Sequence, residues 1–515
     1  MTRTALPALA FLAAVAGAAH AKPAPRTIQA TRSAADTSLE RFPVVGPGRW
    51  AAVRGAGDLT PGEPGNADLS PEIWRVDLFT GALVQATSSS GDVRCPRVTV
   101  RGQLLISSRD DLTPAAPGNT DGSFEAWIFD PAAPPLRQLT SSTEDAFYQT
   151  SRPLEPRAFF VSKGDLTPGQ PGNTDGRNEV YVADFDTFQL RQLTNSPGET
   201  ILRGVTGPDS GVVESSGDLV TGNNADGSRE VYRIQLHTGA LDQITASLGD
   251  STFVDSGVAG RWIAIESRAD LLPGRNPDGS LEVFVHDRAT NRLVQVTSAA
   301  GDSHFAAFVP HSSLIAVHSR ADLVPGGNTD GSQEIFLIDP RTRRVRQFTS
   351  SAGDSTLLAI GDDALRWAVI ASTGDLRPDV AGGGTGTRDL YVQRIRGRAT
   401  RAVRLTGGDD GAGFAGFGAG ARHIAIDSMQ DLVAGSNADG SREAFLVALR
   451  AGGVTPRQIT SSAADSFAAA ISPAFRVVVI ESRGDLVPGG NADGSLEVFV
   501  HRFGAVPLGY HGPRR

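Results

Sequence analysis

Residues 302–349 decide the fold, and they read DSHFAAFVPHSSLIAVHSRADLVPGGNTDGSQEIFLIDPRTRRVRQFT. Four short apolar segments occur in this stretch, at residues 305–309, 314–318, 334–339 and 345–349, with Gly, Pro, Asn and Asp between them. Segments of about five residues with β-branched and aromatic side chains are typical of strands. The stretch therefore predicts a four-stranded antiparallel sheet, whose strands are named a, b, c and d in chain order.

The same plan recurs at a spacing of about 53 residues, the size of one supersecondary repeat. An Asp-Leu pair begins at Asp58, Asp111, Asp165, Asp218, Asp270, Asp322, Asp375, Asp431 and Asp485. A Ser stands three residues before each Asp except the first, where Gly55 replaces it. A Gln-x-Thr motif begins at Gln29, Gln85, Gln138, Gln192, Gln243, Gln295, Gln347 and Gln458, and becomes Arg404-Leu405-Thr406 in one unit. Both anchors predict nine units.

Composition agrees with a repetitive β protein. The 515 residues include 59 Gly and 31 Pro, a density of helix breakers that argues against long helices. The 40% hydrophobic content is too high for a disordered chain. Because each sheet has two faces to bury and only similar sheets to bury them against, we predict a single closed β-propeller over residues 22–515. Nine blades are expected, and eight blades with one misassigned unit are the alternative.

The repeat also resembles a known family. Its Ser, the short acidic turn, strands such as Glu334-Ile335-Phe336, and the run from Gln347-Phe348-Thr349 to Gly353-Asp354-Ser355 are similar to the TolB-type, WD-like propeller repeat of bacterial exported proteins. This resemblance covers about residues 26–508 and implies a propeller that serves as a binding scaffold or as a gate on some serine peptidases. We expect here neither the small N-terminal α/β domain of TolB nor a C-terminal hydrolase domain.

The two ends of the chain predict how the ring closes. Residues 27–31 match strand d, whereas the last unit lacks a Gln-x-Thr strand after His501. The N-terminal strand can therefore complete the C-terminal blade, which would remove the exposed sheet edges.

Acidic residues recur in the loops between strands b and c. The motif is Asn-x-Asp-Gly with a Glu four residues after the Asp, as at Asn119, Asp121, Glu125; Asn173, Asp175, Glu179; Asn224, Asp226, Glu230; Asn276, Asp278, Glu282; Asn328, Asp330, Glu334; Asn437, Asp439, Glu443; and Asn491, Asp493, Glu497. The first unit has Asn66, Asp68 and Glu72 but Leu69 in place of Gly. With strands that alternate in direction, these loops and the loops from d to the next a lie on one face of the ring.

Two interpretations of these loops compete. Carboxylate and amide oxygens around a Gly turn are the ligands that Ca²⁺ requires. The same residues also form tight turns by bonding to nearby backbone amides. The spacing favours the second interpretation, because the position two residues before the Asn, where an EF-hand-like loop has a ligand, is Gly or Pro. We assign no metal or cofactor residues, and Ca²⁺ remains an alternative ligand.

Signatures of catalysis are sparse. The sequence contains no Gly-x-Ser-x-Gly elbow, no His-Glu-x-x-His and no phosphate-binding Gly loop. His304, His311 and His318 recur at intervals of seven, but without a second set of ligands they favour satisfied or exposed histidines over a metal cluster. We assign no catalytic residues, although acid and base groups from different blades would leave no linear motif.

The N-terminus predicts export. Arg3, an apolar run and Ala19-His20-Ala21 are typical of a signal peptide over residues 1–21. We therefore expect a periplasmic or secreted bacterial protein without a membrane span. The single cysteine, Cys95, excludes an internal disulfide, and a formal charge of −9 without basic runs argues against a nucleic-acid partner.

These observations lead to a functional prediction. We expect a non-catalytic scaffold that binds a protein or cell-envelope partner through its acidic loop face. The alternatives are a lyase or hydrolase acting on a saccharide or peptide in the central channel, and a calcium-binding propeller. The seventh unit breaks the pattern with a Gly-rich run at residues 382–386, Asp389 in place of Glu, and residues 407–411 in the following turn. We expect the partner to contact this unit, with simple decay of one repeat as the alternative.

Overall fold

The computed structural model describes residues 26–41, 49–60, 65–113, 118–133, 136–150, 156–168, 172–257, 260–362, 366–380, 386–396, 401–408, 411–450, 453–472 and 476–504. These residues form nine four-stranded antiparallel sheets arranged in a ring, which is a nine-bladed β-propeller. The predicted fold class and number of blades are confirmed. One short 3-10 turn, Ala419–Ala421, is the helical element of the described chain.

Each blade uses strands a, b, c and d in that order. Blade 1 contains β2 (Thr37–Arg41), β3 (Trp50–Gly55), β4 (Glu72–Asp77) and β5 (Leu83–Gln85). Blade 2 contains β6 (Val93–Val98), β7 (Leu104–Ser108), β8 (Glu125–Phe129) and β9 (Leu136–Gln138). Blade 3 contains β10 (Ala146–Thr150), β11 (Arg157–Ser162), β12 (Glu179–Asp184) and β13 (Leu190–Gln192).

The next three blades repeat this plan. Blade 4 contains β14 (Thr200–Gly207), β15 (Ser210–Ser215), β16 (Glu230–Gln235) and β17 (Leu241–Gln243). Blade 5 contains β18 (Ser251–Ser256), β19 (Trp262–Ser267), β20 (Glu282–Asp287) and β21 (Arg292–Gln295). Blade 6 contains β22 (Ser303–Phe308), β23 (Ile315–Ser319), β24 (Glu334–Asp339) and β25 (Arg344–Gln347).

The last three blades include the closure. Blade 7 contains β26 (Ser355–Ile360), β27 (Trp367–Ser372), β28 (Asp389–Arg394) and β29 (Val403–Arg404). Blade 8 contains β30 (Gly413–Phe417), β31 (His423–Ser428), β32 (Glu443–Arg450) and β33 (Gly453–Gln458). Blade 9 contains β34 (Ser466–Ile471), β35 (Val477–Ser482), β36 (Glu497–Arg502) and, as its strand d, β1 (Arg26–Gln29).

The N-terminal strand closes the ring as predicted. β1 pairs antiparallel with β36, with Thr27 opposite His501 and Ile28 opposite Val500. The backbone continues this ladder, because the amide of Ala30 donates to the carbonyl of Val498 at 2.8 Å. The last blade therefore joins the two ends of the described chain.

The hydrophobic core lies between blades rather than within one sheet. One cluster joins Ala264, Val283 and Val285 of blade 5 to Val317 and Phe336 of blade 6. Strands b and c are buried on both faces, which explains why they are continuous apolar runs. Burial between neighbours makes each blade depend on the next. Cys95 is buried in this core, and its thiol donates to the carbonyl of Arg97 at 3.3 Å.

The two faces of the ring differ in the connections they carry. The b–c loops and the d–a loops meet on one side, where the amide of Leu281 donates to Asp302 at 2.9 Å. We call this side the acidic loop face. The a–b and c–d turns lie on the opposite side, which we call the turn face. Among the described residues, no helix has both the length and the apolar character needed to cross a membrane.

Candidate functional site

The asparagine of each acidic loop ties the loop to its own blade. In blade 6, the side-chain amide of Asn328 donates to the carbonyls of Arg320 at 3.1 Å and Ser332 at 2.9 Å. A corresponding pair of bonds occurs at Asn66, Asn119, Asn173, Asn224, Asn276, Asn437 and Asn491. Because these asparagines are buried, their amides shape the loop.

The aspartate of the motif closes a local turn. Oδ1 of Asp330 accepts hydrogen bonds from the Ser332 amide at 3.0 Å and from the Ser332 hydroxyl at 2.8 Å. These bonds lower the pKa of Asp330 below its usual value. Corresponding bonds occur at Asp68, Asp121, Asp278, Asp439 and Asp493. Among the described residues, no group of three or more His, Cys, Asp or Glu is placed to hold a metal ion.

The glutamate at the start of strand c is a buried acceptor. Glu179 accepts hydrogen bonds from the amide of Ser196 at 2.7 Å and from the hydroxyl of Thr194. Its burial raises the pKa of the Glu179 carboxyl to about 7, against the opposing effect of those hydrogen bonds. The Thr194 hydroxyl accepts in turn from the Val180 amide at 2.9 Å. The Glu and the Gln-x-Thr motif therefore form one network that joins strands c and d to the d–a loop.

The Asp-Leu anchor organises the other half of the b–c loop. Asp322 accepts from the backbone amides of Gly326 at 2.6 Å, Gly327 at 3.1 Å and Asn328 at 3.0 Å. The same arrangement occurs at Asp218, Asp270, Asp431 and Asp485. Backbone hydrogen bonds account for the repetition of these acidic motifs.

The acidic loop face carries exposed apolar side chains that the sequence motifs did not indicate. Leu248 is 93% exposed in the loop between blades 4 and 5. Leu69, Val380 and Met429 are exposed in b–c loops, and Phe147 is exposed near the start of β10. Large exposed hydrophobic side chains on one face are typical of an interaction surface. These side chains do not recur at equivalent positions in the blades, so the repeat pattern of the sequence did not predict them.

Two clefts open on the same face. A cleft of about 850 Å³ between blades 4 and 5 is lined by Leu248, Thr252, Arg268 and Leu281. A second cleft, of about 560 Å³, spans blades 2 to 4 and is lined by Phe147, Gln149, Lys163 and Arg203, together with other residues of the loops. Both clefts combine polar groups with an exposed apolar side chain.

The innermost strands are not equivalent around the ring. Strands a of adjacent blades contact one another, and each contains a β-bulge. The residue left unpaired by the bulge is small or apolar in blades 6 to 9, namely Ala306, Leu358, Ala415 and Ala469. In blades 1, 3 and 4 it is Glu40, Gln149 and Arg203. In blade 2 the bulge spans residues 95–96, and in blade 5 it leaves Val254, so the polar bulge residues are confined to blades 1, 3 and 4.

Arg203 is held in place by a buried carboxylate. Its Nε donates to Glu214 at 2.8 Å, and the second oxygen of Glu214 accepts from the Phe253 amide of the next blade at 2.7 Å. The guanidinium Nη groups of Arg203 have no hydrogen-bond partner within the described part of the chain, and Arg203 lines the second cleft. This geometry leaves an arginine oriented for an anionic or hydroxylated ligand.

The three regularly spaced histidines do not come together. His304 and His318 are cross-strand neighbours, but His311 lies in the a–b turn on the opposite face. Nε2 of His318 accepts from the Leu357 amide of blade 7 at 2.9 Å, and burial lowers the pKa of His318 to about 4. His318 is thus a link between blades.

The irregular loop of the seventh unit lies partly outside the described residues, which omit 381–385 and 409–410. Asp389 occupies the usual Glu position and accepts from the Gly408 amide at 2.7 Å. The Leu390 amide donates to Thr406 at 2.9 Å, as in the other blades. Blade 7 therefore keeps the hydrogen-bond network between strand c, strand d and the d–a loop, with Asp in place of the longer Glu side chain.

No family model matches the chain, and no curated protein matches it. TolB from Acinetobacter baumannii is 15% identical with a TM-score of 0.29, over 53% of this chain and 58% of TolB. The chain thus spans less than two thirds of that relative.

Two other solved structures show the range of propellers it resembles. An oligogalacturonate lyase in complex with manganese is 14% identical with a TM-score of 0.36, over 93% of this chain and 98% of the lyase. Dipeptidyl peptidase 4 from Porphyromonas gingivalis is 12% identical with a TM-score of 0.42, over 88% of this chain and 56% of the peptidase. The resemblance to the TolB-type repeat is confirmed, and it extends to the β-propeller fold alone.

Proposed function

We propose that this chain is an exported propeller scaffold whose acidic loop face binds a protein or cell-envelope partner without catalysing a reaction. The observation that carries this proposal is the combination, on one face, of exposed apolar side chains and an excess of carboxylates. Structural hydrogen bonds fix the loop backbones, so the face is rigid enough to bind without reordering.

The apolar side chains supply anchors for a partner. Leu248 stands almost fully exposed beside the cleft of about 850 Å³. Phe147 and Met429 are about half exposed at other positions on the same face. Binding energy at protein interfaces concentrates in a few apolar or aromatic anchors surrounded by polar residues, and this face has that composition.

The charges of the face favour a basic partner. Some arginines on this side form ion pairs, as Arg268 does with Asp302 and Arg109 with Asp145. Motif aspartates such as Asp322 and Asp330 accept backbone hydrogen bonds and form no ion pair among the described residues. Complementary charge mainly raises the association rate and orients the partner, so binding should weaken as salt is added.

Export is part of the proposal and rests on residues 1–21, which lie outside the described residues. Cleavage after Ala21 would leave β1 near the new N-terminus, ready to close the ring. Expression of the full chain in a bacterial host, followed by N-terminal sequencing of the periplasmic protein, tests this step. An unprocessed cytoplasmic product contradicts it.

The binding proposal is tested with variants that change one face at a time. The protein is immobilised, partners are captured from an envelope extract, and the captured protein is purified for Kd measurements. Leu248→Asp combined with Met429→Asp should weaken binding at least about tenfold, the size of one interface anchor. Val84→Asp is the matched control, because Val84 is exposed on the outer strand β5. If Val84→Asp weakens partner binding as much as the double variant does, binding through this face is contradicted.

A second candidate is an enzyme that acts on a saccharide or peptide. The oriented Arg203, with Gln149, Lys163 and Phe147 in one cleft, favours this alternative. Incubation with oligosaccharide and peptide libraries, followed by mass spectrometry, separates the two functions. Turnover that is lost in Arg203→Ala would establish the enzyme and contradict the non-catalytic scaffold.

A further inference from the structure

The turn face contains a repeated ion pair that stabilises the start of strand b. In blade 1, the guanidinium of Arg49 donates two hydrogen bonds to Asp77, the shorter at 2.7 Å. In blade 5, Arg261 makes two hydrogen bonds of 3.0 Å to Asp287. Each arginine directly precedes strand b, and each aspartate is the sixth residue of strand c. The pair therefore occurs at the same position in blades 1 and 5.

Blades 8 and 9 keep this arginine but lose its partner. Arg422 and Arg476 directly precede β31 and β35, and the sixth residue of strand c is Ala448 in blade 8 and Arg502 in blade 9. The backbone is unchanged, because the carbonyl of Arg422 accepts from the Leu449 amide at 2.7 Å and the carbonyl of Arg476 from the Phe503 amide at 2.9 Å. Blade 8 therefore differs from blades 1 and 5 by the loss of the carboxylate, and blade 9 has a second arginine in its place.

A third arginine adds to this uncompensated charge. Arg450 ends β32 on the same face and is exposed, like Arg422 and Arg476. Within the part of the chain that the structure describes, none of the three side chains has an ion pair or hydrogen-bond partner. The connecting segments 418–422, 451–452 and 472–476 contain no acidic residue. We call these three arginines the basic patch.

The ring of His423 shows that the members of the patch are close together. It packs against Phe503, with ring centroids 5.3 Å apart. Burial lowers the pKa of His423, and Arg476, Arg450, Arg457 and Arg422 lower it further by their charge. The backbone bonds give the geometry: the Arg422 carbonyl is bonded to the residue before Arg450, and the Arg476 carbonyl is bonded to Phe503, which packs on His423.

We propose that the basic patch docks the turn face of the ring on an anionic lipid surface. Arginine presents a planar fork that matches phosphate oxygens, so three unpaired guanidinium groups fit a layer of lipid headgroups. The large exposed hydrophobic side chains of the described chain lie elsewhere, on the acidic loop face or on strands a and d, so this face lacks the apolar anchors of a protein interface.

The charge distribution of the whole ring supports the same orientation. The acidic loop face is repelled by anionic headgroups, whereas the basic patch is attracted to them. The ring would then lie with its turn face on the bilayer and its acidic loop face directed away from it. Binding is peripheral, because the patch offers charge without apolar side chains to insert.

Vesicle sedimentation with the mature protein tests the proposal. Vesicles of phosphatidylglycerol and phosphatidylcholine should bind the protein at low salt and release it at high salt, while pure phosphatidylcholine vesicles should not bind it. The triple variant Arg422→Ala, Arg450→Ala, Arg476→Ala should bind about 100-fold more weakly, since each arginine near an anionic surface contributes about fivefold.

The control is a triple variant of paired arginines on the same face, Arg49→Ala, Arg101→Ala and Arg261→Ala, which should retain most of the binding. A lysine triple variant of the basic patch should also retain most of it, which guards against a folding defect. Equal affinity of the alanine triple variant and wild type overturns the proposal. So does a preference for a DNA duplex or an acidic protein over the anionic vesicles.

Discussion

The Val498 amide of the last blade donates a 2.8 Å hydrogen bond to the hydroxyl of Thr31, a residue near the opposite end of the chain. In blade 6 the corresponding bond joins the Ile335 amide to Thr349 at 2.8 Å, within one continuous unit. The N-terminal segment therefore takes the place of strand d and its threonine in the last blade. Closure of the ring depends on this pairing of the N-terminal segment with the last blade.

Removal of residues 27–31 should lower the Tm substantially, because β36 loses its partner strand and becomes an exposed edge. A finer test is Thr31→Ala, which leaves the Val498 amide without an acceptor. This variant should lower the free energy of unfolding by about 1–3 kcal/mol. Thr349→Ala is the matched control and should cost a similar amount. Chemical denaturation measures both, and a neutral Thr31→Ala beside a destabilising Thr349→Ala contradicts closure by this segment.

Calcium should have little effect on stability. The oxygens of Asp330 and its equivalents already accept backbone and hydroxyl hydrogen bonds, and a ligand stabilises the fold only when it binds the native state. Thermal unfolding with and without a chelator should give nearly the same Tm. A large loss of stability that Ca²⁺ restores, and that Asp330→Asn weakens, would instead establish the acidic loops as metal sites.

The stability contributed by Glu179 should fall as the pH rises toward neutral. Burial raises the pKa of Glu179 to about 7, so the native state holds a proton that the unfolded state releases near pH 4.5. The contribution is fully present below the unfolded pKa and is lost as the pH rises through about 7. A pKa shift of this size corresponds to a change in the unfolding free energy on the order of 3 kcal/mol.

Urea denaturation of wild type and Glu179→Gln between pH 4.5 and 8 measures this contribution. The variant should show a flatter dependence of the unfolding free energy on pH, whatever its absolute stability. Parallel pH profiles for the two proteins would show that Glu179 does not hold the proton.

The irregular loop of the seventh unit is expected to contact the partner. Replacing the segment between Asp375 and Asp389 with the loop from Asp322 to Glu334 should preserve folding and weaken partner binding. Flexible glycine loses backbone entropy on ordering, so stability alone does not favour this loop. If the graft leaves both the Tm and the Kd unchanged, the irregularity is drift and the contact lies elsewhere.

The fold was predictable because its determinants repeat. The Asp-Leu anchor marks every blade, Gln-x-Thr marks all but blade 7, and the additional strand at residues 27–31 indicated where the ring closes. The β-bulges in strands a were not predictable, since they follow from packing around the inner ring rather than from a motif. The positions of Gln149 and Arg203 at bulges were therefore not predictable either.

The candidate surfaces were less accessible to sequence reasoning than the fold. Leu248 and Met429 are isolated apolar residues in polar loops, and only the structure shows that both side chains are exposed. Arg422, Arg450 and Arg476 are separated in sequence and form no basic run. They meet because turns from two neighbouring blades adjoin, which is a property of the closed ring.

Hydrogen–deuterium exchange on the complex with the captured partner tests the binding account most directly. We predict protection of the amides in the loop between blades 4 and 5, around Leu248, and in the b–c loop after Met429, while the a–b and c–d turns remain unchanged. Protection confined to the turn face, or to the inner strands without the loops, would contradict a scaffold that binds its partner through the acidic loop face.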